Sequence, residues 1–146
     1  MGFKLGLDCK LYRNTGTWGS PTWAEVGNAR DVTVNLERGE ADLTTRANAG
    51  WRATVGTLKD ASLEFEMVWD PGDAGFAAVR DAFLNGTVLD MVALDGGIAV
   101  SGSQGLRAEF SILSFSRSEP LEEGVTVNVT AKPAYSENAP EWMTVT

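Results

Sequence analysis

Apolar and polar residues alternate along most of this chain, and the alternation predicts strands. Leu5, Leu7, Cys9 and Leu11 fall on one face of a first strand, opposite Lys4, Asp8 and Lys10. Val32, Val34 and Leu36 alternate with Asp31, Thr33 and Asn35 in a second. Leu63, Phe65, Met67 and Trp69 oppose Ser62, Glu64 and Glu66 in a third, and Val125, Val127, Val129 and Ala131 oppose Thr126, Asn128, Thr130 and Lys132 in a late one. A period of two with one apolar set predicts sheet with one dry face and one wet face.

Two segments break the rule in informative ways. Residues 87–95 are apolar at both parities, as a strand covered on both faces would be. Between 106 and 117 the apolar set runs Ala108, Phe110, Ile112 and then shifts parity to Leu113 and Phe115. Either a β-bulge near Ile112 or burial of both faces, against a neighbouring subunit for instance, accounts for the shift.

One segment has helical periodicity. Asp70-Pro71-Gly72-Asp73 offers a cap, and Phe76, Val79, Phe83 and Leu84 then share a stripe until Asn85-Gly86 stops the helix. A helix at about 73–85 among many strands predicts an α+β, mainly β domain spanning 1–146, with the helix covering part of a sheet.

Residues 37–60 read as a long excursion centred on Asn48-Ala49-Gly50-Trp51, with strand character at its ends (43–46 and 51–57). Here Arg38, Arg46, Arg52 and Lys59 balance Glu37, Glu40, Asp42 and Asp60, so the formal net charge of −8 lies outside this segment. A neutral, Trp-bearing arm on an acidic body predicts either a docking element or an ordinary solvated hairpin.

Composition removes most chemistry. The 146 residues include no His and a single Cys, which excludes Ser-His-Asp and Cys-His catalysis and any Cys/His zinc site within one chain. Cys9 alternates with leucines and is expected to be a buried, inert thiol. Glu64 and Glu66 project to one strand face about 7 Å apart, where a solvated polar face explains them better than a glycosidase pair. No nucleotide motif or EF-hand spacing occurs, so no cofactor and no metal are expected. The acidic balance argues against wrapping nucleic acid, although not against DNA passing nearby. Neither a membrane span nor a signal peptide is legible, so the chain is expected to be made in the cytoplasm.

The order of features resembles the major tail tube proteins of long-tailed bacteriophages. The likeness covers nearly the whole chain, and three stretches carry it most: Arg30-Asp31-Val32-Thr33-Val34-Asn35-Leu36, the run from Trp51-Arg52-Ala53-Thr54 to Leu63-Glu64-Phe65-Glu66, and Arg117-Ser118-Glu119-Pro120-Leu121-Glu122-Glu123. The resemblance implies a β-sandwich or half-barrel flanked by a helix, assembling as six-fold rings that stack head to tail into a tube in the virion. It implies that the 37–60 arm reaches the adjacent ring, with Arg38, Arg46, Trp51 and Arg52 as contact residues. It implies an acidic bore that lets DNA pass without binding, with Asp31, Glu64, Glu66 and Glu109 as lining residues. The implied partners are further copies of the chain and the tape measure, tip and terminator proteins of a tail.

Two other readings remain open at this level. The tube protein of a contractile injection machine or type VI secretion system would share the architecture. A monomeric carbohydrate- or surface-binding β-sandwich would use Tyr12, Trp18 and Trp23 near the turns at Gly16, Gly19 and Pro21, residues that equally suit a small capping core.

Overall fold

The computed structural model describes residues 3–146. Its strands are β1 (Lys10–Asn14), β2 (Trp23–Glu25), β3 (Ala29–Asp42), β4 (Thr54–Val68), β5 (Val88–Leu94), β6 (Gln104–Ser118), β7 (Thr126–Pro133) and β8 (Glu141–Thr144), with one helix, α1 (Ala74–Asn85), between β4 and β5. They form one antiparallel sheet in the order β2-β1-β5-β6-β7-β4-β3, with β8 added to β6. Only residues 26–28 separate β2 from β3, so the two ends of the sheet are tied together and the sheet must curl. Of the two expected forms, the half-barrel is therefore the one adopted.

The dry face of the curl is the core. Leu63, Phe65 and Met67 of β4 pair in register with Ala131, Val129 and Val127 of β7, and all six are buried. Met91, Ala108, Phe110 and Ile112 continue this face across β5 and β6. Helix α1 closes one end with Phe76, Val79 and Ala82. Asp73 caps it, accepting a hydrogen bond from the Phe76 N–H at 2.9 Å, and Gly86 ends it in the left-handed region (φ 65°). Trp69 meets Phe76 edge-on at 4.9 Å, and Phe115 links Phe76 to Phe83. Full burial of each such side chain stabilises the fold by about 1.5–3 kcal/mol.

The parity shift in β6 is a bulge. Ile112 pairs with Ala131 but Ser114 pairs with Thr130, leaving Leu113 as the extra residue. Phe115 thereby returns to the core while Leu113 faces solvent. Strand β5 is covered on both sides: Leu89 and Met91 face the main core, whereas Val92 and Leu94 join Tyr12, Trp23, Ile98, Met143 and Val145 in a second cluster on the opposite face.

Some expectations need correction. No strand forms over Leu5 and Leu7; Gly6–Asp8 is a 3-10 turn, both leucines are exposed, and β1 begins only at Lys10. Cys9 is exposed as well, because no strand or helix covers this segment. Leu84 points to solvent, and Ala82 takes its place against the sheet. The strand ends expected at 43–46 and 51–53 are absent, since β3 stops at Asp42 and β4 starts at Thr54.

Close approach fixes one glycine. A Cβ on Gly105 would collide with the Ala93 carbonyl oxygen, where β6 pairs with β5. Gly105→Ala is expected to cost about 2–3 kcal/mol through forced backbone displacement, read as a lower urea midpoint. An unchanged midpoint would mean the strands separate without strain.

Candidate functional site

Two surfaces remain after the core is built, a wet sheet face and a projecting ribbon. Register places Thr33 beside Glu64, Glu64 beside Thr130, and Glu66 beside Asn128, with Ser114 and Ser116 next along. Asp31 joins them through a bulge: Arg30 pairs with Glu66 and Thr33 with Glu64, and Asp31 sits between in the left-handed region (φ 53°). Asp tolerates that conformation better than most residues. The result is one shallow depression lined by Asp31, Thr33, Glu64, Glu66, Asn128 and Thr130.

The face is acidic but not uniformly so. Arg30 holds Glu66 at 2.9 Å, and Lys132 stands 3.9 Å from Asp60. Asp31, Glu37, Asp60, Glu64 and Glu66 outnumber these two bases. Glu64 is exposed and makes no ion pair among the described residues. Such a surface repels polyanions and presents no cluster of cations to hold a phosphate.

Glu109 shares the face by parity but not the depression. Its carboxylate accepts hydrogen bonds from Ser136 Oγ at 2.8 Å and Asn138 Nδ2 at 2.6 Å, under the segment that leads to β8. That segment roofs this part of the sheet, so Glu109 anchors the roof instead of lining an open surface.

Sequence reasoning missed a polar core beneath the β1–β2 hairpin. Arg107, on β6, is buried and grips Asp90 with both Nε (3.2 Å) and Nη2 (2.8 Å). It donates to the Trp18 carbonyl at 2.9 Å and approaches Glu141 at 3.5 Å. Its guanidinium lies 3.8 Å from the Trp18 ring centre and 4.9 Å from that of Trp23. Tyr12 is buried, and its hydroxyl accepts the Ile98 N–H. Tyr12 is thus part of the core, while the half-buried Trp18 and Trp23 rings stack on the Arg107 guanidinium. In the sequence Arg107 stands at the polar parity of an alternating run with Glu109 and Ser111, so nothing local set it apart from a solvated face.

The second surface is the ribbon. Beyond Leu63 the β3–β4 hairpin pairs only with itself, from Leu36↔Ala61 to Asp42↔Thr54, and most of it is exposed. The tip is locally ordered. Thr44 donates its hydroxyl and backbone N–H to Asp42, and these two bonds hold the Asp42 carboxyl below its ordinary pKa. Thr45 caps a 3-10 turn at Arg46–Asn48, and Ala49 and Gly50 reverse the chain with positive φ. Thr44 and Ala53 close the base. Trp51 ends 78% exposed beside Arg46 and Arg52, while Arg38 lies lower on the ribbon with Nε on the Thr57 carbonyl. Leu43, Val55 and Leu58 are exposed on the same ribbon, so Trp51 is one of several large apolar side chains there and not a lone surface residue.

The sequence matches the family model of the phage tail tube protein over residues 8–134. The chain belongs to that family. This tail tube protein is thus a structural component of the virion tail, not an enzyme. Its fold is shared with the tail of an empty gene transfer agent particle refined with C6 symmetry (TM-score 0.75, 17% identity, 97% of this chain and 100% of that one). The SPP1 tail tube is similar too (TM-score 0.68, 19% identity, 89% and 75% covered). More distant is a chain of the anti-feeding prophage baseplate (TM-score 0.57, 7% identity, 94% and 91% covered). No curated protein matches. Among the described residues no helix of the tail tube protein is long and apolar enough to cross a membrane, and no group of three acidic or thiol side chains could hold a metal ion.

Proposed function

We propose that this tail tube protein assembles into six-fold rings that stack head to tail into a conduit for DNA. The wet face around Asp31, Glu64 and Glu66 turns to the bore, and the β3–β4 ribbon reaches the next ring through Arg38, Arg46, Trp51 and Arg52. The observation that carries the reading is the pairing of an acid-rich sheet face with an arm that has no further partner strand among the described residues. The long outer edge of β3 supports it, because an unpaired edge of this length invites a strand from a neighbour. The C6 symmetry of a tail with the same fold agrees with six copies per ring. Tape measure protein would fill the bore before ejection, and tip and terminator proteins would meet the two ends.

Negative-stain microscopy of concentrated protein tests this directly: rings or tubes are expected, and a monomer at every concentration would overturn it. The bore assignment has its own test. Glu64→Lys with Thr130→Lys, cross-strand neighbours on the wet face, should give tubes that retain duplex DNA. Retention should weaken roughly 10³-fold between about 50 and 200 mM salt, because many phosphates are neutralised per ring. Tubes of the double variant that bind no DNA at low salt would place this face elsewhere.

A further inference from the structure

The core side of the arm's base is open. Strand β7 ends at Pro133, opposite Phe110, so β4 has no neighbour on that side beyond Leu63. There β8 takes over the edge of β6, from Gln104 to Arg107. Between β8 and the ribbon runs a groove of about 850 Å³ whose apolar lining includes Leu36, Ala61, Leu106 and Trp142. Leu36 and Trp142 are each 56% exposed, a large apolar exposure for side chains lining a cleft.

Glu37, Asp60 and Glu141 line this groove along with Arg38, Lys59 and Lys132, but Asp60 stands with Lys132 and Glu141 with Arg107, and Glu37 alternates to the other strand face. Arg38 and Lys59 stand opposite each other in register, on the same strand faces as Leu36 and Ala61. Like charges at that spacing repel. Neither makes an ion pair among the described residues, in a chain whose net charge is −8. With Asp60 and Glu141 already paired, Arg38 and Lys59 are the surplus charges on the groove's strand face, which suits an apolar side chain flanked by carboxylates.

The chain carries that complement at its other end. The β6–β7 turn reads Glu119-Pro120-Leu121-Glu122-Glu123, and Leu121 is fully exposed. Glu119 pairs with Arg117, whereas Glu122 and Glu123 make no ion pair among the described residues. Thr126 pairs with both Val68 and Ser118, which puts the turn at the end of the sheet opposite the ribbon. Two complementary surfaces at opposite ends cannot meet within one copy, but they meet in a head-to-tail column.

We propose that the β6–β7 turn of one copy seats Leu121 in the groove at the base of the next copy's arm, with Glu122 and Glu123 against Arg38 and Lys59. This rests on the stacked-ring reading and specifies the contact that the ribbon alone leaves undefined. The test reverses charge on each side. Glu122→Lys with Glu123→Lys, or Arg38→Glu with Lys59→Glu, should slow tube growth by light scattering about tenfold, since each ring repeats the contact. The quadruple variant should recover most of the rate. In a Cys9→Ser background, Leu36→Cys with Leu121→Cys should give ladders of linked chains after oxidation of tubes. Circular dichroism confirms that each variant is folded. Normal wild-type tubes with no effect of reversal, no recovery in the quadruple variant, or no ladder would overturn the docking and leave the tube standing. A wild-type protein that never forms rings or tubes would overturn both.

Discussion

Arg107→Ala is expected to lower the free energy of unfolding by about 3–5 kcal/mol, the largest loss from any single polar side chain in the molecule. Both partners are almost fully removed from water, with 7% of the Arg107 side chain and 11% of the Asp90 side chain exposed. Truncation leaves the Asp90 carboxylate buried without its two charge-assisted hydrogen bonds. It also removes the cation between Trp18 and Trp23 and frees the Trp18 carbonyl. At this chain length the change corresponds to a fall in Tm of roughly 10 °C. Urea unfolding followed by tryptophan fluorescence measures it. Arg107→Met with Asp90→Leu should recover much of the loss, because it removes the stranded charge along with its partner. A single-variant loss under about 1 kcal/mol would mean water reaches Asp90 and the site is not sealed.

Removal of residues 46–52, with an Asn-Gly turn joining the ribbon's two strands, should abolish tube formation while leaving the subunit folded. The deleted tip contributes no residue to either buried cluster. Thr44, Thr45, Asn and Gly then form a four-residue loop across the Leu43–Ala53 pair, so β3 and β4 keep their register. Unfolding free energy should change by less than about 1 kcal/mol, as for surface changes away from the core. Tubes should be missing from micrographs at concentrations where the intact protein forms them. Tubes of normal length from the shortened protein would show that the tip is not a stacking contact. Loss of the folded subunit would show instead that the ribbon supports the core.

Where one face of a strand is dry, the sequence declared it. Leu63, Phe65 and Met67, then Val127, Val129 and Ala131, could be placed because each second residue is buried. Asp73 and Gly86 marked the helix because capping chemistry is local. The bulge after Ile112 was visible as a parity shift, although sequence could not choose between a bulge and double burial. The arm was harder to see. Its strands run the whole way to Asp42 and back from Thr54, yet both faces are wet, so no alternation is imposed and the segment reads as a loop. The opposite failure occurred at Leu5 and Leu7, where alternation exists but no partner strand does, and Gly6 helps turn the chain. Glu64 and Glu66 were legible as one polar face. That Arg30 neutralises Glu66, or that residues 136 and 138 cover Glu109, depends on contacts across 25 residues or more of sequence and leaves no local mark.

Because the ribbon leaves one end of the sheet and the β6–β7 turn the other, a column of these subunits has two unlike termini. In the proposed stack, a newcomer at one terminus would present its turn, and at the other its ribbon, so the two growth rates would be independent. A blocking protein that imitates only one of these surfaces would arrest elongation at a single terminus. Directionality would then be a property of the monomer, inherited by the polymer without any added signal.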